Sequence, residues 1–237
     1  MRLRTGLLLS FYVVFVLLMI PFLLVCLLVG AREPLMALGK AAMRLSRRVL
    51  DIPLDVRGLE GVDPARPAIF MANHLSFLDP LVLFVLIPQP VRAIMKASIA
   101  RIPAVGPGMR YAGFVTVLRK GGQEGKARID QAVRLMRARG YSFMVFPEGT
   151  RSRDGLLGRF RRGGFFLALA SGAPIVPVAV RGTYEMMPRG RWYVARGRIR
   201  VDFLPAVPPG GYTVETMPAL MDRVASAIRG CLDKGDA

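Results

Sequence analysis

The stretch PAIFMANHLSFLDPLVLFVLI, residues 67–87, decides the fold. Residues 67–73 form an apolar run suited to a buried strand. Residues 80–87 are apolar on every side, as a buried helix is. Between them a polar turn holds His74 and Asp79. A strand that ends in a polar turn and leads into a helix is the building unit of an α/β sheet. In such sheets ligands bind where strands end and helices begin. His74 is the single histidine of a chain of 237 residues that carries 34 Lys and Arg.

Outward from this unit the same alternation continues. Residues 52–57 and 91–96 read as short strands. GFVTVLR (113–119) reads as a strand with Val115 and Val117 inside. Residues 123–139 read as an amphipathic helix through Ile129, Ala132, Val133 and Met136, stopped by Gly140. YSFMVF (141–146) and IVPVAV (175–180) read as strands, and FFLALASG (165–172) as a helix end capped by Gly172. RWYVARGRIRVDFL (191–204) reads as a hairpin, and residues 214–232 as a last helix. PAVGPG (103–108) and RGTYEMMPRGRW (181–192) read as loops or as lining of the substrate site. The sum is an α/β domain with a largely parallel sheet flanked by helices.

The polar residues that follow the strands then crowd one rim: Asn73 and His74, Lys96, Arg119 and Lys120, the run Pro147 to Arg151, and Arg181. His74 and Asp79 are five positions apart. On a continuous helix that spacing separates side chains by about 140°. The text between them argues against one helix. Either Ser76 is the N-cap and Asp79 closes a capping box, or Asp79 itself caps ahead of Pro80. Both place Asp79 in a first turn, where the helix dipole favours a negative charge, and both let the turn fold His74 back onto it. A carboxylate on one imidazole nitrogen leaves the other as a general base. Ser76 and Ser98 are not set in G-x-S-x-G, and Cys26 and Cys231 lie in segments poorly placed for a site. The nucleophile is therefore expected to be a hydroxyl of the substrate. A structural His bonded to a capping carboxylate is the bland alternative for any isolated pair.

Residues 5–31 carry no charge, and 27 residues are enough to cross roughly 30 Å of hydrocarbon as a helix. Val29-Gly30-Ala31 would pass as a cleavage site, but the apolar core of a signal peptide usually runs about 7–15 residues. An uncleaved anchor is expected, with Pro21 compatible with a kinked or re-entrant shape. Arg32, Lys40, Arg44, Arg47 and Arg48 follow the run, so the rest of the chain is expected on the cytoplasmic side of the cell membrane if the run crosses it. Residues 34–50 read as a basic amphipathic helix. Leu35, Leu38, Ala42, Leu45 and Val49 fall on one side and Lys40, Arg44, Arg47 and Arg48 on the other, as suits a headgroup surface.

A net charge of +18 points to an anionic partner. Nucleic acid is a poor candidate, because one Trp and no stacking motif accompany the charge. Two Cys exclude a disulfide framework and a four-ligand zinc site, and no metal site is expected.

Four blocks resemble the glycerolipid acyltransferase family, the lysophosphatidic acid acyltransferases and their relatives. They are NHLSFLD (73–79) for N-H-x4-D, GFVTVLR (113–119) for G-x5-R, FPEGTRS (146–152) in full, and the apolar strand IVPVAV (175–180). Lys96, Pro103 and Gly106 resemble the family's Lys ahead of a Pro and a Gly, and FRRGGFF (160–166) its basic stretch. The likeness covers residues 52–182. It implies that His74, held by Asp79, acts as general base on the acceptor hydroxyl. It also implies that Arg119, Glu148, Gly149, Thr150 and Arg151, with Lys96, bind the acceptor. Chemistry agrees: an Arg fork suits a phosphate, Gly149 lets backbone N–H groups approach an anion, and Glu148 suits either a glycerol hydroxyl or Arg151. Family members often carry an aromatic residue inside the second block and a polar one before its Arg; here Thr116 and Leu118 stand there.

The implied activity is transfer of an acyl chain from acyl-CoA or acyl carrier protein to the sn-2 hydroxyl of lysophosphatidic acid, at an anionic membrane, with no cofactor beyond that co-substrate. Residues 1–50 would be membrane-associated helices and 51–237 the catalytic domain. The alternatives are another lysolipid acceptor, such as a lyso-ornithine lipid, and a non-catalytic basic membrane adaptor.

Overall fold

The computed structural model describes residues 2–96, 98–103, 105–117 and 123–234, with the side chains of Lys96, Ile99 and Val117 outside that description. Among the described residues, seven strands form one sheet: β1 (Leu54–Arg57), β2 (Ile69–Ala72), β3 (Val91–Lys96), β4 (Val115–Val117), β5 (Ser142–Val145), β6 (Ile175–Arg181) and β7 (Ile199–Phe203). Their order is β1-β7-β6-β2-β5-β3-β4. Every pairing is parallel except that of β6 with β7. Strands β2 to β6 therefore all end at the same rim.

The central strands are apolar on both faces because both faces are covered, as parallel sheets require. Phe70, Met144, Val176 and Val178 pack against helices α2 (Glu33–Val49) and α3 (Leu78–Leu86). Ile69, Phe143, Val145 and Ala179 pack against α5 (Gln123–Arg139), α6 (Gly163–Ser171) and α8 (Met217–Asp233). The shorter α4 (Val105–Tyr111) and α7 (Thr183–Met186) sit in connections. Gly172 caps α6, as its position implies.

Three expectations are corrected. Residues 191–198 form no strand, so there is no hairpin. The Val194 N–H bonds Thr5 Oγ1 at 3.2 Å and the Ala195 N–H bonds the Met186 carbonyl at 2.8 Å, and β7 takes β6 and β1 as neighbours instead. PAVGPG is not a loop throughout. Pro107 falls in the first turn of α4, where its missing N–H is not needed. In α2 the assigned apolar stripe is split: Ala42 is buried, while Leu45 and Val49 are exposed. Its basic face is split as well, for Lys40 Nζ bonds the Ile87 carbonyl at 3.2 Å and Arg47 Nη1 that of Ile52 at 3.2 Å. The face that packs on the domain carries Met36 and Met43.

Helix α1 (Arg2–Leu28) is the long apolar one, and most of its surface is exposed. It touches the α/β unit near both ends. Thr5 bonds Val194, and the Tyr111 hydroxyl donates to the Cys26 carbonyl at 2.6 Å. Midway, Tyr12 and Ser46 share a 2.7 Å hydrogen bond with α2. Twenty-one residues of helix span about 32 Å. A helix tied at both Thr5 and Cys26 lies along the domain and does not project from it.

Candidate active site

Two strand ends build the site. β2 delivers Asn73 and His74, and its neighbour β5 delivers Phe146 to Arg151. The Asn73 side chain anchors the first turn: its Nδ2 donates to the Val180 carbonyl and its Oδ1 accepts from the Val180 N–H, each at 2.8 Å. The two loops are joined by the Ser152 N–H, which bonds the His74 carbonyl at 2.7 Å.

Asp79 lies in the first turn of α3 and is fully buried. Its Oδ2 accepts the Leu75 and Ser76 N–H groups at 2.7 Å each and meets His74 Nδ1 at 2.9 Å. Half of the expected capping box is present, because Asp79 takes the Ser76 N–H. Ser76 Oγ accepts from the Leu78 N–H and donates to the Met187 carbonyl. The helix starts at Leu78, so Asp79 is not its N-cap. With Nδ1–H held by the carboxylate, Nε2 is the nitrogen free to take a proton. The ring stacks on Phe146, centroids 4.1 Å apart, and remains partly open to solvent.

Glu148 is buried and, among the described residues, forms no ion pair with Arg151. Oε1 accepts the His74 N–H and Oε2 the Gly158 N–H, each at 2.8 Å. Burial pushes its carboxyl above the ordinary value, and those two N–H donors oppose the shift. Gly149 takes φ +71°, a left-handed turn that suits Gly. At Gly158 a Cβ would come within 2.6 Å of Glu148 Oε2, so a side chain there would have to displace the Glu148 carboxylate.

Arg151 forms no ion pair among the described residues. Its guanidinium lies 3.7 Å from the Phe77 ring centroid. Its pKa is lowered by burial first and by the Arg189 charge second, with Asp79 acting in the opposite sense. Thr150 is exposed at the rim. Arg119 and Lys120 lie outside the described residues; Lys96 ends β3, and its side chain is outside them too. Arg181 is turned away from the site role. Its Nη1 pairs with Asp202 at 2.5 Å, and its Nη2 bonds the Cys231 carbonyl.

Sequence reading missed Phe77, Gly158 and a half-open apolar cavity of about 180 Å³ between α1, α2, α3 and the loop before β7, with Leu8, Tyr12, Met43, Leu81 and Trp192 among its walls. Phe77 and Leu78, which line one side, immediately precede Asp79, so the apolar space reaches the turn that holds His74 and Asp79. No local pattern announces a cavity shared by three helices.

The family model Acyltransferase matches residues 53–181. The chain is 38% identical over 139 residues to the chloroplastic 1-acyl-sn-glycerol-3-phosphate acyltransferase BAT2 of Brassica napus, covering 57% of this chain and 39% of that one. It is 29% identical over 177 residues to the alpha 1-acyl-sn-glycerol-3-phosphate acyltransferase of Homo sapiens, covering 75% of this chain and 62% of that one. The matched segments thus span less than two thirds of these relatives. The solved 1-acyl-sn-glycerophosphate (LPA) acyltransferase PlsC of Thermotoga maritima superposes with a TM-score of 0.81 at 25% identity, covering 100% of this chain and 96% of that one.

Proposed function

The chain belongs to the Acyltransferase family, and from that premise we propose that it is a membrane-bound O-acyltransferase. It would move an acyl chain from a thioester donor, acyl-CoA or acyl carrier protein, to the sn-2 hydroxyl of lysophosphatidic acid. The observation that carries this reading is the 2.9 Å contact between His74 Nδ1 and a fully buried Asp79, which leaves Nε2 free at the rim. The acceptor hydroxyl gives its proton to Nε2 as its oxygen attacks the thioester carbonyl. Asp79 stabilises the imidazolium so formed. The tetrahedral intermediate expels the thiolate, which takes the proton back from the imidazolium. An ester and a thiol result, and His74 is restored.

Arg151, free of any described carboxylate partner and steadied on Phe77, is suited to the acceptor phosphate. Glu148 is a positioning residue in this reading. By accepting the His74 N–H and the Gly158 N–H it holds the catalytic turn against the loop that follows β5. The apolar cavity under α1 suits an acyl chain. Helices α1 and α2 would lie in one leaflet, since α1 is docked along the domain and turns Leu7, Val14, Leu18 and Leu24 outward. Arg44 and Arg48 are exposed on α2, as contact with anionic headgroups at the cytoplasmic face requires.

Thioester consumption by the purified chain against a panel of lysolipids tests the reading. Lysophosphatidic acid should support release of free thiol, and a lyso-ornithine lipid should not. Turnover confined to the second acceptor would move the assignment to that lipid, and no turnover with any would favour a non-catalytic adaptor.

A further inference from the structure

Arg189 sits in the loop between α7 and β7, and that loop is docked on the catalytic turn. The Met187 carbonyl accepts Ser76 Oγ at 2.7 Å, and Ser76 lies between His74 and Asp79. The turn itself is fixed. The Arg191 N–H bonds the Pro188 carbonyl at 3.1 Å, Gly190 takes φ +95°, and Arg191 Nη1 bonds the Glu185 carbonyl at 2.8 Å. Arg191 also lies over the Tyr193 ring. Arg189 has no such employment. It is exposed and has no hydrogen-bond or acidic partner among the described residues. Ser76, which ties the loop down through Met187, is followed by Phe77, whose ring centroid lies 3.7 Å from the Arg151 guanidinium, so the loop that bears Arg189 docks beside Arg151; the Arg189 charge lowers the Arg151 pKa accordingly. Two cations held beside a His–Asp pair, neither paired with a carboxylate, repel one another until an anion joins them.

We propose that Arg189 is a second phosphate-binding residue of the acceptor site, and that Arg151 and Arg189 together select a phosphomonoester headgroup over a phosphodiester. This rests on the acceptor reading given above. A phosphomonoester carries about −1.5 to −2 charges at neutral pH, and it presents three oxygens. Two guanidinium forks can each bond a pair of acceptor oxygens on such a group. A phosphodiester has one charge and two free oxygens, so the second fork finds little to hold.

The test is calorimetric titration of the full chain in neutral detergent micelles. The ligands are 1-acyl lysophosphatidic acid, a phosphomonoester, and 1-acyl lysophosphatidylglycerol, a phosphodiester. Arg189→Gln should weaken binding of the first by roughly 10- to 100-fold, the loss of one charged hydrogen-bonding partner. Binding of the second should change by less than about threefold on the same reasoning. Arg189→Lys should recover part of the loss, because the charge returns without the fork. Equal weakening of both lysolipids would make Arg189 a general membrane contact and overturn the proposal, as would no change in either. Loss on Arg151→Lys with none on Arg189→Gln would overturn this inference and leave the acceptor reading standing. Wild-type protein that binds neither lysolipid would overturn both.

Discussion

Asp79→Asn keeps the size of the side chain and removes its charge, so it isolates what the carboxylate does. The amide carbonyl oxygen can still accept the Leu75 and Ser76 N–H groups that Oδ2 takes at 2.7 Å. The turn should therefore form. The amide nitrogen then falls where Oδ1 lies buried without a hydrogen-bond partner. An unsatisfied buried donor costs about 1–3 kcal/mol, or a few degrees in melting temperature for a chain of this size. The larger effect is on the imidazolium. With Nδ1 and Oδ2 at 2.9 Å, the charge centres are about 4 Å apart, which is worth about 4 kcal/mol at an effective dielectric of about 20. At about 1.4 kcal/mol per decade, that is roughly a thousandfold in rate, inside the range of about 10²–10⁴ for general-base catalysis. The expected result is a kcat lower by about a thousandfold, with the KM for lysophosphatidic acid changed only a few fold. Free thiol released from acyl-CoA is followed with a chromogenic thiol reagent, alongside thermal melts by circular dichroism. An Asp79→Asn protein that kept a third of wild-type turnover would refute the general-base reading. A loss confined to KM would refute it equally.

Three further outcomes are expected. Burial raises the Glu148 carboxyl above its ordinary value near 4.5, so folding disfavours its charged form. Stability of the wild type relative to Glu148→Gln should be greatest below pH 4.5 and fall as pH rises through the raised value, and a flat difference in denaturant unfolding across that window would contradict the burial. Leu81→Trp fills the cavity under α1, so the ratio of kcat/KM for short over long acyl donors should rise by about tenfold, equivalent to one or two poorly accommodated methylenes; an unchanged ratio would place the chain elsewhere. Replacing Arg44 and Arg48 with Gln should cut flotation on anionic vesicles and leave neutral vesicles unaffected, at about 1 kcal/mol per charge; equal flotation on both would remove α2 from the headgroup surface.

Much of the sheet was legible because its central strands are buried on both faces. IFMA (69–72) and IVPVAV (175–180) are apolar without interruption and have few other uses. The turn between His74 and Asp79 was legible because both sequence solutions put Asp79 in a first turn with His74 folded back onto it, as it is, although neither named the residue that caps the helix. The hairpin failed because WYVAR looks like a strand locally, while the Val194 N–H goes to Thr5, far away in sequence, and the Ala195 N–H to Met186 rather than to a partner strand. Helix α4 was hidden by its Pro and Gly content, although Gly106 is packed so that a Cβ would meet the Ala100 carbonyl at 2.0 Å. The α2 stripe was misplaced because Met36 and Met43 on one side and Leu45 and Val49 on the other are both apolar, and only tertiary packing chooses between them. The hydrogen bonds of Glu148 to the His74 and Gly158 N–H groups were not legible, since two separate loops bring those partners to it. Arg119 and the Lys96 side chain lie outside the described residues.

The central claim is that His74 removes the proton from a lysolipid hydroxyl. The most direct measurement gives purified wild-type and His74→Ala proteins equal amounts of 1-acyl lysophosphatidic acid and radiolabelled acyl-CoA in neutral detergent, and resolves the lipid products. The wild type should form labelled phosphatidic acid acylated at the sn-2 position. His74→Ala should form at least about a hundredfold less, with the melting curve and vesicle flotation of the two proteins alike. Labelled phosphatidic acid formed by His74→Ala at a rate near that of the wild type would contradict the claim, and so would a wild type that releases free fatty acid and forms no ester.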